Sequence, residues 1–360
     1  MTSTLTRSPE PGSSRVEQVL HEPHRPLPRW VAPAVLAGSL LLALAILAVV
    51  GFSFAGLAVL TLLLFAVAST AASRRVEGRR RSVDRLVTTV VTSAFLLAMV
   101  PLVSLLYTVV TRGAARFDGA LFAETMRGVV GEGGGAQHAI VGTLIITALA
   151  TLISVPVGLM TAIYLVEYGR GRLARSVTFL VDVMTGIPSI VAGLFAYALF
   201  VIIVGPGVRF GIGGAVALSV LMIPVVVRAC EEMLKLVPAE LREAAYALGV
   251  PKWRTVVKVV LPAAAAGIAT GITIAIARVI GETAPLLLIV GTTSALNTNP
   301  FAERMATLPV YVYYQFTQPG ARGFGIDRAW SAALVLMLIV ILLNVVARMI
   351  AKIFAPKGSR

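Results

Sequence analysis

Charge is scarce in this 360-residue chain. Asp, Glu, Lys and Arg make up 13% of it, against about 25% in an average soluble domain. With 58% apolar residues and a mean hydropathy of +0.90, that scarcity excludes an ordinary soluble globule. Cysteine is nearly absent too: the single Cys230 excludes an intrachain disulfide and leaves no redox pair. Histidine is limited to His21, His24 and His138. All three fall outside the apolar runs and outside any metal or nucleophile pattern, which argues against a polytopic membrane enzyme and against a metal site. No Gly-x-x-x-x-Gly-Lys-[Ser/Thr] phosphate loop occurs, so the chain is expected neither to hydrolyse ATP nor to bind a cofactor of its own. Nothing resembles the alternating strands of a barrel, which leaves helices to satisfy the backbone in lipid.

What remains is a series of long apolar runs, near 31–50, 52–73, 86–110, 139–166, 177–204, 211–234, 263–291 and 329–354. Each reaches the roughly 17 to 25 residues that cross a ~30 Å hydrocarbon core as a helix. The expected fold is an all-α polytopic membrane protein of about eight spans, the first two forming a tight hairpin around Gly51. The net charge of +14 is an orientation signal rather than a nucleic-acid footprint. Lys and Arg gather in the N-terminal tail, in 74–85, at Arg170, Arg172 and Arg175, around the 235–262 loop and at the C-terminus. Only Arg112, Arg116, Arg127, Arg209, Arg304, Arg322 and Arg328 fall on the opposite side. By the positive-inside rule both termini are expected in the cytoplasm, with the chain multi-pass in the cytoplasmic membrane.

The same pattern divides the chain. Residues 1–30 read as a disordered cytoplasmic tail, proline-rich and of mixed charge. Its acids, and a first apolar run of spanning length, argue against a cleaved leader. An accessory hairpin at 31–73 and a basic linker at 74–85 precede a core at 86–355. The connections at 111–138 and 292–328 are long and rich in Gly, Asn and Pro; a docking surface for an external protein and a cap on the bundle are equal readings. Pro188, followed by Ser189, and Pro224 interrupt spans, where a proline frees a backbone carbonyl and marks a kink. Gly267 and Gly271 lie four apart and invite close helix approach.

Charges inside spans cost roughly 2.5 to 3.5 kcal/mol each at the helix centre and therefore mark function. Arg278 and Glu282, four apart in Ala-Arg-Val-Ile-Gly-Glu-Thr-Ala-Pro at 277–285, are expected on one helical face as an ion pair, with Gly281 between them and Pro285 interrupting the helix beyond. Arg228 also sits deep in its helix. Two arginines against one carboxylate leave a surplus positive charge suited to an anion in transit, because guanidinium is a planar fork that matches oxyanions. A self-neutralising pair, and an Arg228 that snorkels or meets Glu232, are the alternatives. Asp182 reads as an acid near a helix start, where it complements the dipole.

The most distinctive stretch is 243–262, Glu-Ala-Ala-Tyr-Ala-Leu-Gly-Val-Pro-Lys-Trp-Arg-Thr-Val-Val-Lys-Val-Val-Leu-Pro. Pro238 opens a helix running to about Leu248, Gly249 ends it in the left-handed region, and Pro251 opens the next. Leu241, Ala244, Ala245 and Leu248 form a small apolar face. From periodicity alone, passive contact with the membrane surface is slightly favoured.

The spacing of Glu243, Ala244, Ala245, Gly249, Val259, Leu261 and Pro262 resembles the EAA motif of permease subunits of binding-protein-dependent ABC importers. That resemblance implies a MetI-like six-helix core with a coupling helix that docks on a cytoplasmic ATPase. Gly-Ile-Pro-Ser-Ile-Val-Ala-Gly-Leu at 186–194, the 228–238 segment, Gly-Glu-Thr-Ala-Pro-Leu at 281–286 and Thr-Leu-Pro-Val-Tyr at 307–311 are similar to phosphate-importer membrane subunits, of the PstA type rather than the PstC type. The resemblance spans about 86–355 and leaves the hairpin and tail outside. It implies inorganic phosphate as cargo, with sulfate or molybdate, or a secondary transporter or channel, as alternatives. Arg228, Arg278 and Glu282 become pathway residues. Glu243, Ala244, Ala245 and Gly249 become ATPase-coupling residues, and Pro188, Ser189, Pro224, Gly281 and Pro285 gating breaks. It further implies a PstC-type second permease in a heterodimer, a PstB-type ATPase dimer carrying ATP and Mg, and a PstS-type extracytoplasmic phosphate-binding protein.

Overall fold

The computed structural model describes residues 27–28 and 30–354. His21, His24 and the expected disordered tail lie outside the described residues, apart from its last few positions. Among the described residues there is no strand. Seven helices are long and apolar enough to cross a membrane, and an eighth span arises if one sharply bent pair is counted. The chain divides into two compact units, one up to Leu105 and one from Leu106.

In the first unit, α1 (Val31–Val50) and α2 (Phe54–Val76) form the expected hairpin. Gly51, at φ 122°, makes the turn, and the Ser53 hydroxyl caps α2 by accepting from Gly56 N at 2.9 Å. At the far end of α2 a buried carboxylate gathers the chain. Glu77 accepts from Leu27 N (2.7 Å), Ser73 Oγ (2.7 Å) and both Nε and Nη2 of Arg85 (2.7 and 2.8 Å). The paired Arg85 guanidinium holds the Glu77 carboxyl down to about 2, against the opposing pull of burial. Helix α3 (Arg79–Gly113) follows, with Pro101 inside it.

In the second unit a short helix α4 (Gly119–Ala123) leads to α5 (Gln137–Ile163), which ends in a π-helical turn, Tyr164–Tyr168. Helices α6 (Gly171–Thr185) and α7 (Ser189–Val204) come next, then α8 (Gly211–Lys235). Helix α8 is the hub: it packs on α5, α6 and α7, and most of its inward side chains are buried. Glycine lets its neighbours come close. A methyl built on Gly158 of α5 would lie 2.6 Å from Val226 Cγ1.

Two expected spans are corrected. The run at 177–204 is not one helix: α6 begins at Gly171, and α6 and α7 meet at 109°. Gly186 and Pro188 explain the corner, since Pro188 donates no N–H and serves as N-cap of α7 at φ −57°, ψ 137°. The run at 263–291 breaks too. Helix α9 (Ala239–Ala247), α10 (Lys252–Thr255) and a second π-helical turn, Val256–Val260, lead into α11 (Leu261–Val279), and α12 (Ala284–Ile289) resumes only after a gap. Pro285 is the cause, because its ring opposes the carbonyl four residues back at Gly281 and it donates no ladder bond. Helix α13 (Leu308–Thr317) lies in the long connection before α14 (Phe324–Phe354). The connection at 111–138 is drawn onto α14 by Arg328, which donates to Gly131 O (2.8 Å) and Gly133 O (2.9 Å).

The two breaks pack on each other. A methyl on Gly193 of α7 would lie 2.6 Å from Pro285 Cα and 3.0 Å from Pro285 O. Likewise a methyl built on Gly271 of α11 would lie 2.7 Å from Ala229 Cβ, so the Gly267 and Gly271 stripe is a helix interface with α8. Gly193→Val is expected to overpack the first contact and cost about 1–3 kcal/mol; a thermal midpoint in detergent equal to that of the unmodified chain would refute the contact's importance.

Candidate functional site

The 235–262 loop is held by a buried ion pair. Glu167, in the π-helical turn that ends α5, accepts through Oε1 from Arg242 Nε (3.0 Å) and Nη2 (2.9 Å), with the two side chains 4% and 17% exposed. Arg242 also donates to Val237 O (2.6 Å) and Leu234 O (3.0 Å), backbone carbonyls at and just beyond the end of α8. One guanidinium thus neutralises a buried acid and caps a helix. Lys252 adds a cation–π contact, its Nζ 5.0 Å from the centre of the Tyr168 ring. Both ends of the loop therefore rest on the same π-helical turn, a helix irregularity that recurs at functional sites.

Within that frame the loop is helix, glycine, helix. Gly249 sits at φ 74°; its N–H bonds Tyr246 O (2.9 Å) and Val250 N bonds Ala245 O (3.1 Å), a Schellman ending of α9. Pro238 and Pro251 occupy the N-cap positions of α9 and α10. Of the apolar face expected at Leu241, Ala244, Ala245 and Leu248, only Ala245 is buried, and Leu248 at the tip is 83% exposed. Glu243 and Ala244 are exposed beside it. The loop is anchored by Arg242 and Lys252 rather than by this face, which leaves its apolar side uncovered in this chain.

A second polar knot lies at the loop-side half of α8. Arg228 Nη1 donates to Glu231 Oε2 (2.7 Å), Lys235 Nζ to Glu231 Oε1 (2.7 Å), and Arg228 Nη2 pairs with Asp182. Glu232, the alternative partner weighed for Arg228, is exposed and takes no part. Asp182 sits three residues from the end of α6 rather than near a helix start, because the break at 186–188 turns the middle of the expected span into a terminus. The surplus charge assigned to Arg228 is therefore answered by two carboxylates.

Arg278 and Glu282 do not form the expected pair. Helix α11 ends at Val279, so Glu282 is off the helix, and no ion pair joins the two. Arg278 is exposed and Glu282 half-buried, while Gly281 is open on the surface. Pro285 is buried against Gly193; Pro188 is exposed, Ser189 half-buried beginning α7, and Pro224 buried within α8. The structure thus gathers Arg228 with Asp182 and Glu231, but places Arg278 on a face this chain leaves uncovered. Reasoning from sequence missed Glu167, Arg242 and Glu231. Glu167 and Arg242 are 75 residues apart, and the only signal was an acid at the end of an apolar run. His138 also differs from expectation: it lies inside the first turn of α5, 2% exposed, edge-on to Tyr311 at 5.4 Å.

Helices of spanning length, two of them broken beside Pro188 and Pro285 and joined by a polar two-helix knob, define an integral membrane transport subunit. The chain belongs to the family of binding-protein-dependent transport system inner membrane components, whose pattern matches residues 154–360. It is 48% identical over 275 residues to the phosphate transport system permease protein PstA 1 of Mycobacterium tuberculosis (strain CDC 1551 / Oshkosh), covering 76% of this chain and 90% of that protein. Against the phosphate transport system permease protein PstA of Yersinia pestis it is 40% identical over 286 residues, covering 79% and 94%. A chain of a bacterial alginate ABC transporter, solved in complex with an alginate pentasaccharide-bound periplasmic protein, shares the fold. Its TM-score is 0.55 at 14% identity, over 77% of this chain and 97% of that one.

Removing one member of a buried ion pair leaves a bare charge, at a cost of about 3–5 kcal/mol. Arg242→Met is therefore expected to lower the unfolding midpoint of the purified chain and to raise amide exchange across 235–262. Glu167→Gln with Arg242→Met should recover much of the loss; a double variant as damaged as the sum of the singles would show that the two do not act as a pair.

Proposed function

We propose that the chain is the membrane-spanning subunit of an ATP-driven importer that moves inorganic phosphate across the cytoplasmic membrane by alternating access. The observation that carries this reading is the identity, 48% and 40% over nine-tenths or more of their length, to proteins named for phosphate transport. It is a transport subunit and not an enzyme: ATP and magnesium belong to a separate PstB-type ATPase dimer. The exposed knob at Glu243, Ala244 and Leu248 suits that ATPase, since an apolar tip of 83% exposure beside a carboxylate is incomplete without a partner. Both termini and the knob face the cytoplasm in this reading, with the core at 86–355 as the permease domain and 31–73 as an accessory hairpin.

The pathway is assigned to the face carrying Arg278. An exposed guanidinium in the last turn of a helix of spanning length is stable only against polar or aqueous surroundings, so that face is completed by a second, PstC-type permease enclosing a wet passage. Arg278 attracts the anion there, Glu282 limits how tightly it is held, and Arg228, already bridged to Asp182 and Glu231, moves charge only when that knot opens. The breaks at Pro188 and Ser189, Pro224, Gly281 and Pro285 are the hinges of alternation. A PstS-type phosphate-binding protein delivers the cargo from the other side.

Arg278→Gln is expected to abolish phosphate uptake by cells while the chain still assembles with its partners. Normal uptake in that variant removes Arg278 from the pathway. Glu243→Lys, or Gly249→Asp in the knob, is expected to leave ATP hydrolysis by the assembled complex no longer stimulated by cargo; stimulated hydrolysis and unchanged transport in both variants would place the ATPase elsewhere.

A further inference from the structure

At the end of α8 opposite the 235–262 loop, about 37 Å away at 1.5 Å per residue, the second unit holds a concavity of about 750 Å³. None of the pathway or loop residues lines it. Two arginines converge in its lining. Arg209 comes from the turn before α8 and Arg304 from the connection before α13, and both lean on Gly291. A methyl built on Gly291 would lie 3.3 Å from Arg209 Cδ, 3.5 Å from Arg209 Nη1 and 3.5 Å from Arg304 Cδ. Gly291, at φ 69°, keeps that space open as no other residue does without strain.

Neither guanidinium makes a hydrogen bond or ion pair to another described residue, although Glu303 lines the same concavity. This contrasts with Arg116, Arg228, Arg242 and Arg328, each of which is bonded to this chain. The segment carrying Arg304 is braced in advance. Asn297 Nδ2 donates to Ala302 O (2.8 Å) and Arg304 O (3.1 Å), and Ile212 N bonds Pro300 O (2.8 Å), tying the segment to the start of α8. Deeper in the wall, His138 is 2% exposed, and its Nδ1 makes no hydrogen bond. A buried polar atom of this kind requires a partner, and the concavity is the space His138 lines. Thr292 and Thr293 add hydroxyls to the wall.

We propose that this concavity is a binding site for a small tetrahedral oxyanion, held by Arg209 and Arg304, by the Thr292 and Thr293 hydroxyls and by the buried His138. Two guanidinium forks with free donors and two threonine hydroxyls match an anion with four oxygens and several lone pairs. A docking carboxylate from a partner protein would use the arginines, but would leave the recessed His138 unanswered. The site would collect the anion before it reaches the Arg278 face, and Glu303 beside it limits how tightly it is held. Naming phosphate as the physiological occupant rests on the importer reading above; the oxyanion site itself does not.

The test uses the full chain, purified with the subunits that accompany it, in lipid nanodiscs and free of any external binding protein. Equilibrium dialysis with labelled inorganic phosphate, and separately with sulfate, measures binding. R209Q/R304Q is expected to weaken it by about tenfold or more, the loss of two charge-assisted contacts. E303Q is expected to tighten it several-fold, a gain that misfolding does not produce. If the unmodified chain binds neither anion, if R209Q/R304Q binds as well as the unmodified chain, or if E303Q fails to tighten binding, the proposal is overturned. Capture of an external protein lost in R209Q/R304Q with anion affinity unchanged overturns it also, and gives the arginines to protein docking. Sulfate bound through these arginines with phosphate excluded upholds the site while removing phosphate as the cargo.

Discussion

Arg242 stands at a point where three segments that share no sequence proximity must be reconciled. The end of α8 presents backbone carbonyls, the π-helical turn after α5 presents a buried carboxylate, and the two-helix loop needs a fixed orientation. A guanidinium has enough donors, in a rigid enough fork, to answer all three at once. In a protein where charge is scarce, that concentration of polar bonds fixes how the loop projects from the bundle. What α9 and α10 offer to a partner, including the exposed tip at Leu248, follows from it.

The same economy explains the other polar knots. Arg228 is shared between Asp182 and Glu231, Glu231 in turn between Arg228 and Lys235, and Arg328 between two glycine carbonyls and Gln315. Arg278 on an uncovered face, and Arg209 with Arg304 at the opposite end of α8, are in no such knot. These are the positions where the proposed roles in anion passage and the need for something outside the chain coincide. The proline breaks work alongside them. Gly193 against Pro285 locks two interrupted spans together, so a shift in one break is felt in the other.

The hairpin around Gly51, the left-handed Gly249 and the proline-opened helices α9 and α10 were legible in the sequence, because each depends on residues within one or two turns of one another. The small-residue stripe at Gly267 and Gly271 was legible as an interface, though not which helix it meets. Less legible were the corner at 186–188 and the ending of α11 at Val279. Hydropathy carries no direction, so an apolar run of the right length looks continuous even where it turns by 109°. The misassigned partners followed from those two breaks: Asp182 became a helix end, and Glu282 left the face of Arg278.

By itself the sequence determined the class of molecule, its helical spans, the place of the polar loop between them and the kinds of side chain available for an anion. Those depend on composition, periodicity and local propensity, which are properties of neighbours along the chain. Tertiary structure alone decided which charges are neutralised and which stay open. Glu167 and Arg242 meet across 75 residues, Asp182 and Arg228 across 46, and Arg209 and Arg304 converge on Gly291 from separate segments. Electrostatic pairing depends on distance in space, and in a bundle of packed helices that distance is set by how glycines and prolines let the helices approach.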